Sequence, residues 1–209
     1  MMKLQLTMVS HACVIIEADN SKLLCDPWFL NEPVYNFSTW KYPRAVMPSE
    51  EIVSGLTHLF ISHSHEDHFH VPSIDRLPRS IKVMLPEYDW YDGERAKTVE
   101  RVMRALGFEN IVKLLPFHTV HLDENFHITP IPAAESKPHD WENCGLAIEH
   151  DGVRILNMND CPSDDALYAR VAERFSHFDL VLLQYAGVSL ILVFVLRVFT
   201  DKLLLPKTN

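Results

Sequence analysis

The chain has 209 residues, 47% hydrophobic and 22% charged, which is enough apolar material for one buried core and argues against a disordered chain. Its formal net charge is −9 with no block of Lys or Arg, so a binder of phosphate backbones that relies on counterion release is not expected, and nucleic acid is not an expected partner. Cys13, Cys25, Cys144 and Cys161 form no CxxC pair and lie in or beside apolar segments, which argues against a disulfide scaffold and for reduced core thiols in a cytoplasmic protein.

At the N-terminus, Gln5, Ser10 and His11 interrupt any signal-peptide core. Leu4, Leu6 and Met8 alternate with polar residues, CVIIEA is apolar and β-branched, and KLLCDPWF follows the turn residues Asp19, Asn20 and Ser21. These stretches predict an antiparallel start to a sheet. The aromatic, Pro-rich stretch from Asn31 to Pro48 has no clean period and reads as an ordered loop, a rim over a site. LTHLFIS then predicts a buried strand that runs straight into FISHSHEDHFH.

After Pro86, Val99, Val102, Met103 and Leu106 recur at helical spacing and Gly107 supplies the stop. GLAIEH, Asp151-Gly152 and VRILNMND predict a hairpin with a two-residue turn. Ser163 is the expected cap of a second helix reaching Phe175, and FDLVLLQY is a further buried strand. Strands, helix, strands, helix, strand: this order suggests two sheets packed face to face with helices outside.

His63, His65, Asp67 and His68 share a short loop after a buried strand. Imidazole and carboxylate together suit Zn, Fe or Mn. Alternate residues of an extended segment point the same way, so His63 and His65 are expected to hold one ion, while Asp67 and His68, past the turn, face a second. A pair of ions would clamp one hydroxide and orient a scissile group. His58, His70, His118, His121, His127, His150 and His177 lack suitable neighbours and read as ordinary core or surface histidines.

ISHSHEDH resembles the metal-binding signature of the metallo-β-lactamase superfamily, and VSHACVIIEA with LLCDPWF is similar to the N-terminal strands of one of its branches. ILNMNDC resembles that branch's later strand, which ends in a bridging aspartate. The branch includes ascorbate-phosphate lactonases, the phospholipase D that acts on N-acylethanolamine phospholipids, and CMP-N-acetylneuraminate hydroxylases, with DPWF and NDC leaning toward the last. The resemblance spans roughly Met1 to Gly187 and implies an α/β fold, the αββα four-layer sandwich with a dinuclear site at one edge of its sheets.

On that resemblance, His63 and His65 bind the first ion, Asp67 and His68 the second, and Asp160 bridges them. Asp67 is also the expected proton shuttle, and Asp26 and His11 are expected to orient the histidines from behind. For Asp26 a turn-forming Asp-Pro carries equal weight. Two divalent ions are implied, Zn first with Fe or Mn as alternatives. The implied activity is hydrolysis by a metal-bound hydroxide of an ester, lactone, amide or phosphodiester in a small or lipid-like substrate. The rival readings are a metal-binding domain without catalysis and a domain serving a separate redox partner.

Two departures stand out. Where the family pattern has a third histidine, this chain reads IPAAES, which puts Glu135 there, with His139 as a competing candidate and Asp140 a weaker one. No histidine follows His177, so the last ligand of the second ion is missing and that position is expected to bind weakly. The apolar stretch at residues 188–209 has two readings, a membrane anchor or a tail standing in for a lost continuation. Arg197 and the use of FDLVLLQY as a strand leave too little for a span, which favours the second; a membrane partner is not expected.

Overall fold

The computed structural model describes residues 4–35, 45–87, 94–136 and 143–183. His139, Asp140 and the tail at 188–209 lie outside the described residues, as does the boundary expected near Gly187. Among the described residues no helix is long and apolar enough to cross a membrane.

Three antiparallel strands open the fold: β1 (Gln5–Ser10), β2 (Cys13–Ala18) and β3 (Ser21–Cys25). The chain then crosses over through the short α1 (Ser49–Val53) to β4 (His58–Phe60), parallel to β3. After α2 (Val71–Ile74), β5 (Lys82–Pro86) continues the parallel pairing; α3 (Glu94–Ala105) then leads to β6 (Ile111–Leu114), which closes a six-stranded sheet in chain order. The second sheet comprises β7 (Val120–His121), β8 (Phe126–Pro132), β9 (Cys144–His150), β10 (Val153–Asn157) and, after α4 (Asp165–Arg174), β11 (Leu180–Leu182). Its order is β11-β10-β9-β8-β7, antiparallel except for the β10–β11 pair.

Strand alternation sorts the apolar side chains into layers. Val14, Ile16, Leu23, Cys25, Phe60 and Met84 face Phe126, Ile128, Leu146, Ile148 and Ile155 between the sheets. Their neighbours Ile15, Leu24, Leu59, Ile61 and Val83 point outward onto Ile52, Ile74, Val99 and Met103, from the first three helices and their approaches. On the far side Ala147 and Leu156 meet Leu167 and Val171 of α4. The expected αββα four-layer sandwich is therefore the observed fold.

The hairpin turn falls where expected, with Asp151 at φ 48° and Gly152 at φ 80°, the positive values that this turn demands. The cap of α4 differs from expectation. Asp164, not Ser163, accepts from Leu167 N at 2.8 Å, because its carboxylate reaches the first turn while the Ser163 hydroxyl is directed to Tyr168 Oη at 2.8 Å.

Candidate metal centre

The predicted site residues gather beyond strand ends at one rim of the sandwich. His11 lies in the β1–β2 turn, Asp26 follows β3, His63 to His68 follow β4, and Asp160 follows β10. Parallel pairing of β3 and β4 brings the first loops together, and Asp26 N donates to Phe60 O at 3.0 Å. Cys161 N bonded to Met158 O at 2.7 Å and Ala134 N bonded to Pro162 O at 2.9 Å hold the Asp160 loop in place. Non-glycine residues with φ in the left-handed region include His11, Asp26, Tyr35 and Asn159, all at or next to this rim. Backbone held in so sparse a region is typical of functional sites.

Asp26 is fully buried and accepts three hydrogen bonds: Ser62 N at 2.7 Å, Ser62 Oγ at 2.7 Å and His68 Nδ1 at 3.0 Å. It holds His68 through Nδ1, and it also forms the bend after β3. Bonded through Nδ1, His68 turns Nε2 toward the rim, 3.4 Å from Asp160 Oδ2 and 3.8 Å from Asp67 Oδ2. That nitrogen is buried and has no hydrogen-bond partner. His63 lies against His68 with ring centroids 4.2 Å apart and the planes tilted by 47°, and its Nε2 lies 2.9 Å from His65 Nδ1.

Among the described residues two donor groups result: His63, His68 and Asp160, and His11, Asp67 and His68, each with its ligand atoms within 4.8 Å of one another. This grouping differs from the split expected from alternation. The segment is not extended past His65: His68 N and Phe69 N both bond to His65 O, at 3.0 and 2.7 Å, and this turn swings His68 to the centre and leaves His65 exposed. His11 approaches Asp67 directly, Nε2 to Oδ2 3.0 Å, instead of standing behind a histidine. Glu135 is not brought to the group; it is 81% exposed and pairs with Arg170 at 3.2 Å. Tyr35, which local sequence did not single out, reaches in from the loop after β3 and donates to Asp67 Oδ1 at 2.6 Å.

The electrostatics follow from burial and these contacts. Burial, with the charges of His68 and His65, takes the His63 imidazole down to about 2, so it is neutral and its lone pair available. For His68 burial also favours the neutral ring, but the nearby carboxylates of Asp160 and Asp26 outweigh it and push the group up to about 10. Burial opposes the Asp67 carboxylate, yet His11, His68 and Tyr35 hold it well below the usual carboxylate range. Three carboxylates around one buried imidazole ring, Asp26 on Nδ1 and Asp160 and Asp67 near Nε2, thus favour positive charge at that point. Nitrogen and carboxylate donors converging on a buried, unbonded His68 Nε2 fit a divalent cation.

The Beta-lactamase superfamily domain matches residues 22–189, and the chain belongs to that family. Among curated relatives, it is 30% identical over 192 residues to a Mycolicibacterium smegmatis protein named as a Rieske 2Fe-2S iron-sulfur protein, covering 88% of this chain and 34% of that one. It is 24% identical over 180 residues to the cytidine monophosphate-N-acetylneuraminic acid hydroxylase of Xenopus laevis, covering 84% and 29%. The chain thus spans about a third of the length of the curated relatives it matches. Among solved structures, the isothiocyanate hydrolase from Delia radicum gut bacteria superposes with a TM-score of 0.63 at 18% identity, covering 85% of this chain and 70% of that one. CmlA, a diiron β-hydroxylase from Streptomyces venezuelae, gives 0.61 at 21% identity, covering 86% and 34%. At these identities the structural likeness establishes the fold alone.

Proposed function

We propose that the chain is a metal-dependent hydrolase acting on an ester, lactone, amide or phosphodiester of a small or lipid-like substrate. The observation that carries this is His68 Nε2, buried, without a hydrogen bond, and flanked by His63, Asp160 and Asp67. His63, His68 and Asp160 would hold one divalent cation, with His65 beside them; Asp67 and His11 would contribute to a second. Zinc suits the donor set first, with Fe or Mn as alternatives. Such ions supply a Lewis acid and lower the pKa of water to about 7.

The protein's own part is positioning and proton transfer. Asp26 fixes the His68 ring through Nδ1, so its other nitrogen faces the rim. Asp67, kept anionic by His11 and Tyr35, takes up and returns a proton beside the reacting group. Relieved of its proton, His68 Nε2 would offer one lone pair, and it stands in both donor groups, so the two positions compete for it. One cation is therefore held tightly and the second weakly. His139, the competing candidate to Glu135, remains the proposed extra donor, since the Glu135 carboxylate turns to Arg170.

The relatives favour a second reading: the names of those matched by sequence are hydroxylase and Rieske protein, and the chain covers a third of them. In that case the domain serves a redox partner. All four cysteines are free and buried, which supports the assignment to a reducing, cytoplasmic compartment. The test is metal-loaded protein assayed against phosphodiester, lactone and ester panels. Hydrolysis that disappears in Asp67→Asn supports the first reading; no hydrolysis, with oxidation requiring iron, dioxygen and a reductant, supports the second.

A further inference from the structure

The aromatic loop after β3 and the acidic pair inside HSHEDH are parts of the rim that the ligand pattern leaves partly unused. Tyr35 joins them. Its hydroxyl donates to Asp67 Oδ1 at 2.6 Å, and its backbone N–H donates to the Glu66 carboxylate. Its φ is 56°, a conformation that an aromatic residue rarely adopts unless its surroundings fix it. The loop behind it is anchored as well: Phe29 N and Leu30 N bond to Ser73 Oγ at 3.1 and 3.2 Å, Trp28 Nε1 to Glu32 O at 3.3 Å, and Ser10 Oγ to Trp28 O. The Trp28 ring meets His11 edge-on at 5.7 Å, so the same loop supports the histidine that holds the other oxygen of Asp67.

We propose that Tyr35 is a positioning residue that occupies Oδ1 of Asp67 and so presents this carboxylate to a cation through Oδ2 alone. The inference rests on the metal-centre reading above. Asp67 Oδ2 is the oxygen near His11 and His68, while Oδ1 points to the phenol. With both oxygens held in place the carboxylate plane cannot swing to chelate through two oxygens, and the donor geometry around the weaker cation is fixed before the cation arrives. Glu66 is the latch: its carboxylate holds the Tyr35 backbone where the phenol can reach.

The test uses the full chain stripped of metal and titrated with Co(II), followed by visible absorption and calorimetry, with Tyr35→Phe and Glu66→Gln compared to the native protein. Tyr35→Phe is expected to weaken the second, weaker cobalt site by about 10-fold or more, to shift its ligand-field band and to leave the tighter site unchanged. Thermal unfolding of metal-free Tyr35→Phe is expected to stay close to native, which a merely structural role would not allow. Glu66→Gln is expected to weaken the same site by a smaller factor. Native protein that binds cobalt, with both variants matching it in affinity and spectrum, would overturn the role of Tyr35 alone. Native protein that takes up no cobalt would overturn the metal centre and the inference together.

Discussion

Asp26 shows how much one buried carboxylate can organise. Its two oxygens satisfy a backbone N–H, a hydroxyl and an imidazole, all buried. Removing it takes a charged acceptor from all three, and hydrogen bonds to a charged group contribute roughly 1.5–3 kcal/mol each. Asp26→Ala is therefore expected to lower unfolding stability by at least about 3 kcal/mol in urea and to weaken cation binding about 10 to 100-fold, as loss of an orienting partner does. His58, remote from the rim, gives the pH prediction. Burial, with the charge of Lys82 and against that of Asp123, lowers it from 6.5 to about 4. Because the unfolded chain takes up this proton first as pH falls, the contribution is complete above pH 6.5 and is lost between about 6.5 and 4. Urea titrations at pH 7 and 4.5 are expected to show a smaller acid-induced loss in His58→Asn than in the native chain. The histidine motif stood out because strand-then-cluster is a strong local pattern, and Asp26 and His11 stood out through their place near early strands, though His11 was expected behind a histidine and not against Asp67. Tyr35 was not: its contact is made across 32 positions from a loop with no period.

Elements decide how accurately the rim is built. Gly145, on β9, lies under the segment that leads to Asp160: a Cβ there would sit 3.0 Å from Met158 Sδ, 3.2 Å from Asn157 O and 3.3 Å from Met158 Cα. The last two are backbone atoms with little freedom to yield. Gly145→Ala is expected to cost roughly 1–3 kcal/mol and to reduce cation affinity by displacing Asp160. Gly152→Ala is the contrast: nothing lies within 4 Å, so its cost is the backbone strain at φ 80° alone, about 1 kcal/mol, with cation affinity unchanged. Calorimetric titration beside urea unfolding separates the two cases. The long strands were legible because β2, β3 and β9 are apolar runs next to turn residues, buried on both faces. The four-residue α2 and five-residue α1 were not, since helices that short carry no periodicity. The α4 cap was misplaced by one residue because Ser163 and Asp164 are both good caps and the Ser163 hydroxyl turns to Tyr168 instead.

At the scale of the molecule, the sheets are held by apolar burial and the rim is carried on their ends. Phe60, fully buried between the sheets at the end of β4, immediately precedes the metal-site loop. Phe60→Ala is expected to cost roughly 3–5 kcal/mol and to loosen the histidines with it. His63→Ala with His65→Ala is the converse: the fold is expected to remain, since its core lies elsewhere, while bound metal is lost; far-ultraviolet circular dichroism and elemental analysis report the two separately. The fold class was legible from element order, whereas the pairing of ligands was not, because it depends on the turn at His65 to Phe69 and on His11 arriving from another strand pair. Glu135 was drawn in by its place in the family pattern, yet its carboxylate meets Arg170 at the surface. The measurement that tests the centre most directly is zinc titration of metal-stripped native protein against His68→Ala, the one residue common to both donor groups. One tight zinc per native chain, a second held at least about 10-fold more weakly, and loss of both in His68→Ala is the predicted result; no zinc uptake by the native chain, or full uptake by the variant, would contradict it.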